Sequence, residues 1–544
     1  MTPSRSTEPR WVLAAAASLL VSVLVLRSAI SQHPQVAAAG VTVLVVIVIV
    51  VAARMVVGRR ITLASVYLLL FGLFHAGLLP YLATRQTPTA LLNGVEPWWQ
   101  LSTTGTAIVS VAVGVLAFLI GYSALLTGYP AALLTRLHQH GKKAAASLAG
   151  GAAVRSAGGA AVRSAGGAAA PLACQEAAVP LARPVEGDSG ADDRPAGQDE
   201  RTRQVGILGF VLLVAGVVLW FANTPGSGLG FVTLPYLDFR AGADDNAMAF
   251  ANLFTGIGMG ALGLAPSVVL RRWGLVVFTV FAIPAFLVGL RGEVIFPLAA
   301  WLVTTARRRE IRIRWWMGPL LLAGLSAGSI IRQLRDAGLS AARLGDIKVN
   351  PLDGLAELGA SIRPLVLVHR WHDEWGESFV GWGTYWAPLQ RILFSRLLGL
   401  DAPSVHTDAR VFSTTIADRV GAIGGSPAAE AYRAAGLIGI IVVLALIGMF
   451  VAWLDTRPAG SIGDHAIGMV GYILLVWVRN DVSPVVVSLG TCILALTTVY
   501  LVHAQLNRRR TGRGSPALGQ LPGERVIQVP APGKSALETR IPSG

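Results

Sequence analysis

Residues 434–454 read AAGLIGIIVVLALIGMFVAWL, a run of 21 residues that contains no charged side chain. An α-helix rises about 1.5 Å per residue, so about 20 apolar residues cross the hydrocarbon core of a bilayer. The rest of the chain repeats this pattern, because 53% of its 544 residues are hydrophobic and only 14% are charged. These values exclude an ordinary soluble protein and predict an all-α polytopic membrane protein.

About twelve apolar runs are long enough to be membrane spans. They lie near residues 11–26, 36–57, 61–82, 102–126, 205–222, 249–270, 273–290, 293–306, 315–331, 434–454, 464–478 and 483–503. The run at 293–306 is short, which suggests a tilted or re-entrant segment. The first run follows Arg5 and Arg10, and with so many later spans it fits an uncleaved signal-anchor better than a cleaved signal peptide.

A charge-rich segment, residues 332–433, interrupts the apolar pattern immediately before the run at 434–454. This charged loop contains eleven Lys and Arg, eleven Asp and Glu, and three of the nine histidines of the chain. A pore would distribute such side chains along its spans. Their concentration in one loop indicates chemistry or recognition at the membrane surface.

The distribution of basic residues predicts the orientation of the chain, because cytoplasmic connections are enriched in Lys and Arg. When the long segments 136–203 and 332–433 are left out, alternate connections carry 20 basic residues on the side of the N-terminus and 5 on the other. We therefore expect a multi-pass plasma-membrane protein with both termini cytoplasmic and the charged loop outside. The net charge of +15 fits topology signals and contacts with anionic membrane lipids, and no motif for nucleic acid is present.

Composition divides the chain into six segments. They are N-terminal transmembrane helices (1–126), a flexible cytoplasmic linker (127–204), central transmembrane helices (205–331), the extracytoplasmic charged loop (332–433), C-terminal transmembrane helices (434–503) and a disordered cytoplasmic tail (504–544). The linker contains the repeat AGGAAVRS from Ala149, and Gly and Ala at this density bury too little surface to offset chain entropy. Cys174 lies in the polar linker and Cys492 in an apolar run, so the two cannot form a disulfide.

Arginines near the charged loop are candidates for binding a diphosphate, because the guanidinium fork matches phosphate oxygens and stays protonated. The candidates are Arg291, Arg332, Arg335, Arg363, Arg370, Arg391 and Arg396. The alternative is that each arginine pairs with one of the acids or with a phospholipid headgroup. For Arg291 this alternative names Glu293 as the partner.

Acid–base candidates in the charged loop are His369, His372, His406 and Glu430, although a histidine in a loop is usually only solvated. Their spacing matches no zinc motif such as HExxH, so no metal site is expected. Residues 244–246, Asp-Asp-Asn, could bind a divalent cation. A helix N-cap is the better interpretation, since Asp and Asn are favoured there.

Aromatic side chains precede an amphipathic stretch, residues 388–400 (PLQRILFSRLLGL), which predicts a helix on the membrane surface. The tryptophans are Trp371, Trp375, Trp382 and Trp386. Indole rings favour the water–lipid interface, which explains the cluster without a ligand. Stacking on sugar rings is the functional alternative, with Trp375 and Trp382 as the candidates.

The end of the charged loop reads GGSPAAEAY over residues 424–432, followed by Gly436 and the long apolar run. Together with Arg291-Gly292 and the stretch ELGASIR at residues 357–363, this resembles the Wzy-type O-antigen or oligosaccharide repeat-unit polymerases. The resemblance covers roughly residues 205–505. The repeat-containing linker and the tail fall outside it.

The resemblance implies a glycosyltransferase with a GT-C-like helical membrane fold. Such an enzyme transfers a growing glycan from polyprenyl diphosphate to a hydroxyl of the next lipid-linked repeat unit, on the outer face of the cytoplasmic membrane. It implies no cofactor, no metal and no nucleotide sugar, and a chain-length regulator and a flippase as partners. Arg291 and the loop arginines would hold diphosphate, and His369 or Glu430, which occupies the acidic position of the GGSPAAEAY-like motif, would activate the acceptor.

Other functions remain open on the sequence, among them a structural or signalling membrane protein, which would leave the charged loop unexplained. A ligase that transfers finished glycan to another acceptor would carry the same loop chemistry. A transporter of lipid-linked oligosaccharides would show internal repeats and charges within its spans, and neither is visible in this sequence. The polymerase is therefore the leading hypothesis and the transporter the weakest.

Overall fold

A computed structural model describes residues 61–79, 98–126, 196–226, 234, 236–309, 311, 319, 323–324, 326–331, 351–399, 407–421 and 423–513. The apolar runs predicted at 11–26 and 36–57, most of the linker and the end of the tail lie outside these residues. So do His406, Arg332 and Arg335, and the side chain of Arg396.

The described residues form helices and no strand. The helices are α1 (Leu63–Ala76), α2 (Thr103–Leu126), α3 (Ala196–Ala222), α4 (Tyr236–Gly242), α5 (Asp245–Gly263), α6 (Val268–Val288), α7 (Arg291–Arg308), α8 (Pro351–Gly359), α9 (Arg363–His369), α10 (Gly383–Arg391), α11 (Phe412–Val420), α12 (Pro427–Asp455), α13 (Ile462–Trp477) and α14 (Val482–Arg513). Short 3₁₀ turns precede α2 and α9, and π-helical turns follow α9 and α10.

Several helices are long and apolar enough to cross a membrane. Among the described residues these are α2, residues 200–222 of α3, α6, α12 and residues 482–505 of α14. The apolar helices α1 and α13 are shorter. The described part of the protein is therefore all-helical, and its long apolar helices are those of a polytopic membrane protein.

The observed helix ends can be compared with the boundaries that hydropathy predicts. The helix predicted from residue 205 begins at Ala196, because a helix continues through polar residues that hydropathy does not count as part of a span. Asp244 caps α5 as expected, and its carboxylate accepts hydrogen bonds from the amides of Asn246 and Ala247. The helix expected within residues 388–400 is present as α10 and its π-helical extension, Ile392–Leu397.

The parallel pair α2 and α12 packs with backbone against backbone. A Cβ atom placed on Gly448 would lie 2.2 Å from the carbonyl oxygen of Phe118, and one on Gly121 would lie 2.0 Å from that of Ala445. Small residues allow such approach between membrane helices. The two glycines are thus required by the distance between the helices.

Substituting Gly448 with alanine is expected to lower the unfolding temperature, because the added methyl group meets a backbone atom that cannot turn away. Overpacking of this kind costs about 1–3 kcal/mol. The matched control is Gly490→Ala in α14, where no atom of another described helix lies within 4 Å of the added Cβ. Thermal unfolding of both variants in detergent checks this, and an unchanged transition for Gly448→Ala would contradict the packing.

Helix α12 is broken at Ala435 and Gly436. Gly436 has φ 62° and ψ −146°, a conformation that a side chain would strain, and Ala435 has φ −152° and ψ 29°. The amides of Val380 and Gly381 donate to the carbonyls of Arg433 and Ala434, at 3.1 and 3.0 Å. The charged loop therefore satisfies the carbonyls that the break leaves without helical partners.

The described part of the charged loop packs on one end of the bundle, which we call the loop end. There the Thr103 hydroxyl of α2 donates to the carbonyl of Val366 in α9. At the opposite, far end, the Asp455 carboxylate accepts from the amides of Leu63 and Ala64 and so caps α1. Polar networks thus hold the helices together at both ends.

Asp464 is the centre of the network at the far end. Its fully buried carboxylate accepts hydrogen bonds from Arg307 Nε (2.8 Å), Arg308 Nη2 (3.0 Å) and the amide of Gly460 (2.8 Å). These bonds join α13 to the end of α7. Asp464 satisfies two cations that would otherwise lie among apolar helices.

Candidate active site

The charged loop folds through ion pairs between its own residues. Asp408 accepts three hydrogen bonds from Arg410, at 2.8–3.0 Å, and these bonds lower the pKa of the Asp408 carboxyl. Arg419 pairs with Glu377 at 2.7 Å, and its guanidinium carbon lies 4.5 Å from the ring centre of Trp371. Several charged side chains of this loop therefore pair with each other and stabilise its fold.

His369 lies at the end of α9, in a polar cluster between the loop and the bundle. Its side chain is only 4% exposed. Nδ1 lies 2.8 Å from Oδ2 of Asp373, and Nε2 lies 2.9 Å from the hydroxyl oxygen of Ser110 in α2. The Tyr432 ring stands 3.7 Å from the imidazole, centre to centre. We call these four residues the His369 cluster.

The π-helical turn after His369 brings Asp373 into this cluster. Residues i and i+4 share a helix face, so the carboxylate returns beneath the imidazole. Its second oxygen, Oδ1, accepts a hydrogen bond of 2.9 Å from the Tyr432 hydroxyl. In contrast to His369, the Asp373 side chain is 40% exposed. Single π-helical turns occur frequently at functional sites.

Burial favours the neutral form of His369. It lowers the pKa of the imidazole, and the hydrogen bond that His369 donates to Asp373 opposes this effect. A carboxylate accepts only, so the Nδ1 nitrogen carries the ring proton and Nε2 accepts from Ser110. Both ring nitrogens of a neutral His369 are therefore occupied.

Glu430 is buried in the first segment of α12, with 1% exposure. Oε1 accepts from the Thr384 hydroxyl at 2.9 Å, and Oε2 accepts from the amide of Val482 at 2.8 Å. The carboxylate thus connects α10 and α14 to α12. This arrangement holds three helices in place and leaves no open face toward a substrate.

Arg291 begins α7, and its partner is Glu357 of the charged loop. Nη1 lies 2.5 Å from Glu357 Oε2, and Nη2 donates to the carbonyl of Gly328 at 2.6 Å. The expected pairing with Glu293 is therefore wrong, because residues two apart on a helix point to different faces. Two of the segments that carry the family resemblance, at residues 291–292 and 357–363, thus meet through this ion pair.

Arg479 lies beside the start of α7, in the turn between α13 and α14. A Cβ atom placed on Gly292 would lie 3.6 Å from its Nη1 atom, and the Phe74 ring lies 5.9 Å from its guanidinium carbon. The side chain is exposed and has no ion pair among the described residues. In the sequence this arginine is an isolated basic residue, and it enters the prediction only as a signal for membrane topology.

Three of the other predicted arginines have described side chains. Arg370 lies 3.5 Å from Glu374, and its guanidinium carbon is 5.3 Å from the ring centre of Trp375. Arg363 begins α9 and is half-buried, whereas Arg391 ends α10 and is exposed.

The tryptophans divide into two groups. Trp375, Trp382 and Trp386 are exposed. Trp371 is 2% exposed and packs in the core, so it does not belong to an interfacial or sugar-stacking cluster. Apolar contact with the core and the Arg419 guanidinium account for its position.

Three functional candidates escape the sequence analysis. Asp373 follows His369 by four residues, a spacing that could have revealed the pair. Ser110 is an isolated hydroxyl within an apolar span. Arg433 is buried, its Nη2 donates to Ala409 O and Thr415 Oγ1, and its Nη1 has no hydrogen-bond partner in the part of the chain that the structure describes.

Most of these residues lie in a region that is similar to a known protein family. Residues 247–509 match the family model described as O-antigen polysaccharide polymerase Wzy. This region belongs to the Wzy polymerase family. The Wzy region begins in α5 and ends in α14, so it includes Arg291, the charged loop, Arg479 and all of the His369 cluster except Ser110.

A curated relative is Protein CapE of Staphylococcus aureus, which is 29% identical over 157 residues. The match covers 29% of this chain and 34% of the length of Protein CapE. No solved structure matches the chain. The resemblance seen in the sequence is thus confirmed by the family match, while the roles of single residues depend on the geometry above.

Proposed function

We propose that the protein polymerises polyprenyl-diphosphate-linked oligosaccharide repeat units into a surface polysaccharide, with the active site at the loop end. The observation that carries this proposal is the His369 cluster. It places a half-exposed carboxylate, a buried histidine and a tyrosine beside exposed tryptophans and arginines, within the Wzy region. Proton transfer from a sugar hydroxyl and binding of a charged donor both need such groups.

Arginines at the loop end supply the charge for the donor diphosphate. Arg479 and Arg391 are exposed and have no ion pair among the described residues, so their forks are available to phosphate oxygens. Arg363 and Arg370 lie next to the His369 cluster and complete a basic surface. Arg291 contributes differently, since Glu357 and Gly328 already occupy two of its donors.

His369 and Glu430 act as positioning residues in this proposal. His369 is buried and holds Asp373, while Glu430 joins α10, α12 and α14 beneath the loop. Neither carboxylate nor imidazole atoms face solvent at these two positions. The exposed Trp375 and Trp382 rings would stack on sugar rings of the donor or acceptor.

The membrane arrangement also remains a proposal. We place the loop end on the outer face of the plasma membrane, with both termini cytoplasmic and about twelve spans in a GT-C-like arrangement. The excess of basic residues on alternate connections supports this orientation. An outer site fits a lipid-linked donor, and it would receive units from a flippase and work beside a chain-length regulator.

The orientation predicts which cysteines a membrane-impermeant maleimide can label. With Cys174 and Cys492 replaced by serine, Ser378→Cys in the exposed part of the loop is expected to react in intact cells. Glu200→Cys at the far end is the matched control and should react only after permeabilisation. Labelling of Glu200→Cys alone in intact cells would reverse the proposed orientation.

Mass analysis of lipid-linked glycans in a deletion strain tests the function. A polymerase defect leaves single repeat units on the lipid, and reintroduction of the gene restores long chains. Accumulation of full-length chains that remain on the lipid would instead identify a ligase. Single units trapped on the cytoplasmic face would identify a transporter.

A further inference from the structure

We propose that Asp373 is the catalytic residue that accepts the proton of the acceptor hydroxyl, while His369 and Tyr432 position its carboxylate. This inference rests on the proposed polymerase function and names the base for that reaction. It is carried by the geometry of the His369 cluster. Asp373 is its only charged member with a solvent-facing surface, at 40% exposure of the side chain.

His369 and Glu430, the two residues that the sequence suggests as bases, are unable to contact a substrate directly. His369 uses Nδ1 for Asp373 and Nε2 for Ser110, and Tyr432 covers one face of its ring at 3.7 Å. Glu430 uses both oxygens for Thr384 and Val482. A sugar hydroxyl could reach either group only after the packing of α2, α10 or α14 had opened.

His372 is also excluded by its contacts. Its Nδ1 lies 2.6 Å from the carbonyl of Glu377, and its ring stacks on Phe379 at 4.5 Å. The other ring nitrogen, Nε2, is buried. A base must lie within hydrogen-bond reach of the proton it takes, and this nitrogen faces protein atoms.

Asp373 meets the geometric requirement for a base. A carboxylate has about four acceptor positions, and His369 and Tyr432 occupy one on each oxygen. The two donors fix the plane of the group, and the remaining positions face the exposed side of the loop. Because His369 is buried and Tyr432 lies on α12, the carboxylate cannot swing away as a surface aspartate would.

The proposed step balances without any further reactant. The acceptor oxygen forms a bond to the anomeric carbon of the donor glycan, and its proton passes to Asp373. The bond from that carbon to the diphosphate oxygen breaks, and its electron pair leaves with the lipid diphosphate. Asp373 then returns the proton to water.

The test uses the purified full-length chain in proteoliposomes, supplied with lipid-linked repeat units extracted from a deletion strain. We expect Asp373→Asn to lower kcat by about 10²–10⁴-fold, with KM and the unfolding temperature unchanged. The matched control is Asp418→Asn, an exposed aspartate of α11 in the same loop, which should retain wild-type turnover. Asp373→Asn that polymerises within tenfold of wild type would overturn the inference.

Chemical rescue is a second measurement. A residue with only a structural role would not respond to it. Asp373→Gly opens space at the carboxylate, and added formate is expected to restore part of its turnover without changing its unfolding temperature. The absence of rescue in a folded Asp373→Gly protein would count against a base at this position. Tyr432→Phe removes one donor to the carboxylate, and we expect kcat to fall while KM stays constant.

Failure of the two proposals can be told apart. If the wild-type protein does not join the extracted units, the polymerase function fails and the base falls with it. If the wild type polymerises but Asp373→Asn does also, only the inference fails. If Asp373→Asn unfolds, Asp373→Glu decides, since it keeps the charge: turnover above about one hundredth of wild type in that folded variant supports the base, and none overturns it.

Discussion

Replacing Asp464 with asparagine is expected to destabilise the protein more than any other single substitution at the far end. The carboxylate is fully buried and pairs with both Arg307 and Arg308. Asparagine retains the shape but presents a neutral amide to two guanidinium groups, so both lose the carboxylate that pairs with them. Breaking a buried pair in this way costs about 3–5 kcal/mol.

The expected readout is a lower unfolding temperature in detergent and loss of monodisperse protein. The control is Glu200→Gln in α3, whose pair with Arg203 spans 3.8 Å and lies at the surface. Surface pairs contribute about 0–1 kcal/mol, so this variant should unfold like the wild type. Equal stability of Asp464→Asn and Glu200→Gln would show that the far-end network does not hold α7 to α13.

Replacing Arg291 with methionine should have the second-largest effect, and it separates two explanations for the same arginine. If Arg291 serves the fold, its loss removes the ion pair with Glu357 and the hydrogen bond to the carbonyl of Gly328, and this costs about 3–5 kcal/mol. The double variant with Glu357→Met should then recover most of the stability, because no charge remains unpaired. Loss of polymer in the single variant would follow from loss of folded protein.

Arg479→Ala provides the contrast. This side chain makes no ion pair among the described residues, so the unfolding temperature should stay unchanged. A charge-assisted hydrogen bond to phosphate contributes about 1.5–3 kcal/mol, so kcat/KM should fall by about 10–150-fold. Arg291→Met with wild-type stability and lost turnover would instead assign the diphosphate to Arg291, as the sequence alone suggests.

The sequence predicts those parts of the structure that depend on nearby residues. Apolar runs locate the membrane helices, and Asp244 identifies the start of α5 by the chemistry of its own side chain. Helix α12 begins at Pro427, earlier than its apolar run at 434, because its first segment is held by loop contacts that hydropathy does not measure. Local patterns therefore determine the helices but not their full lengths.

The candidate site is less predictable because its contacts join distant residues. Glu357 is 66 positions from Arg291, and Ser110 is 259 positions from His369. The chemistry of Glu430 suggests a base, yet both of its carboxylate oxygens accept hydrogen bonds from residues of α10 and α14. The sequence places the candidate residues in the charged loop, whereas exposure, which decides which acid can meet a substrate, depends on how the helices pack.

The break at Gly436 has a consequence for exchanging loops between relatives. Tyr432 belongs to the short segment before the break, and Val380 and Gly381 bind the carbonyls at its end. The loop and that segment therefore form one transplantable unit, while the apolar helix beyond the break belongs to the host bundle. A chimaera cut at the hydropathy boundary would divide this unit, whereas a cut after Gly436 would keep His369, Asp373 and Tyr432 together with the break that follows them.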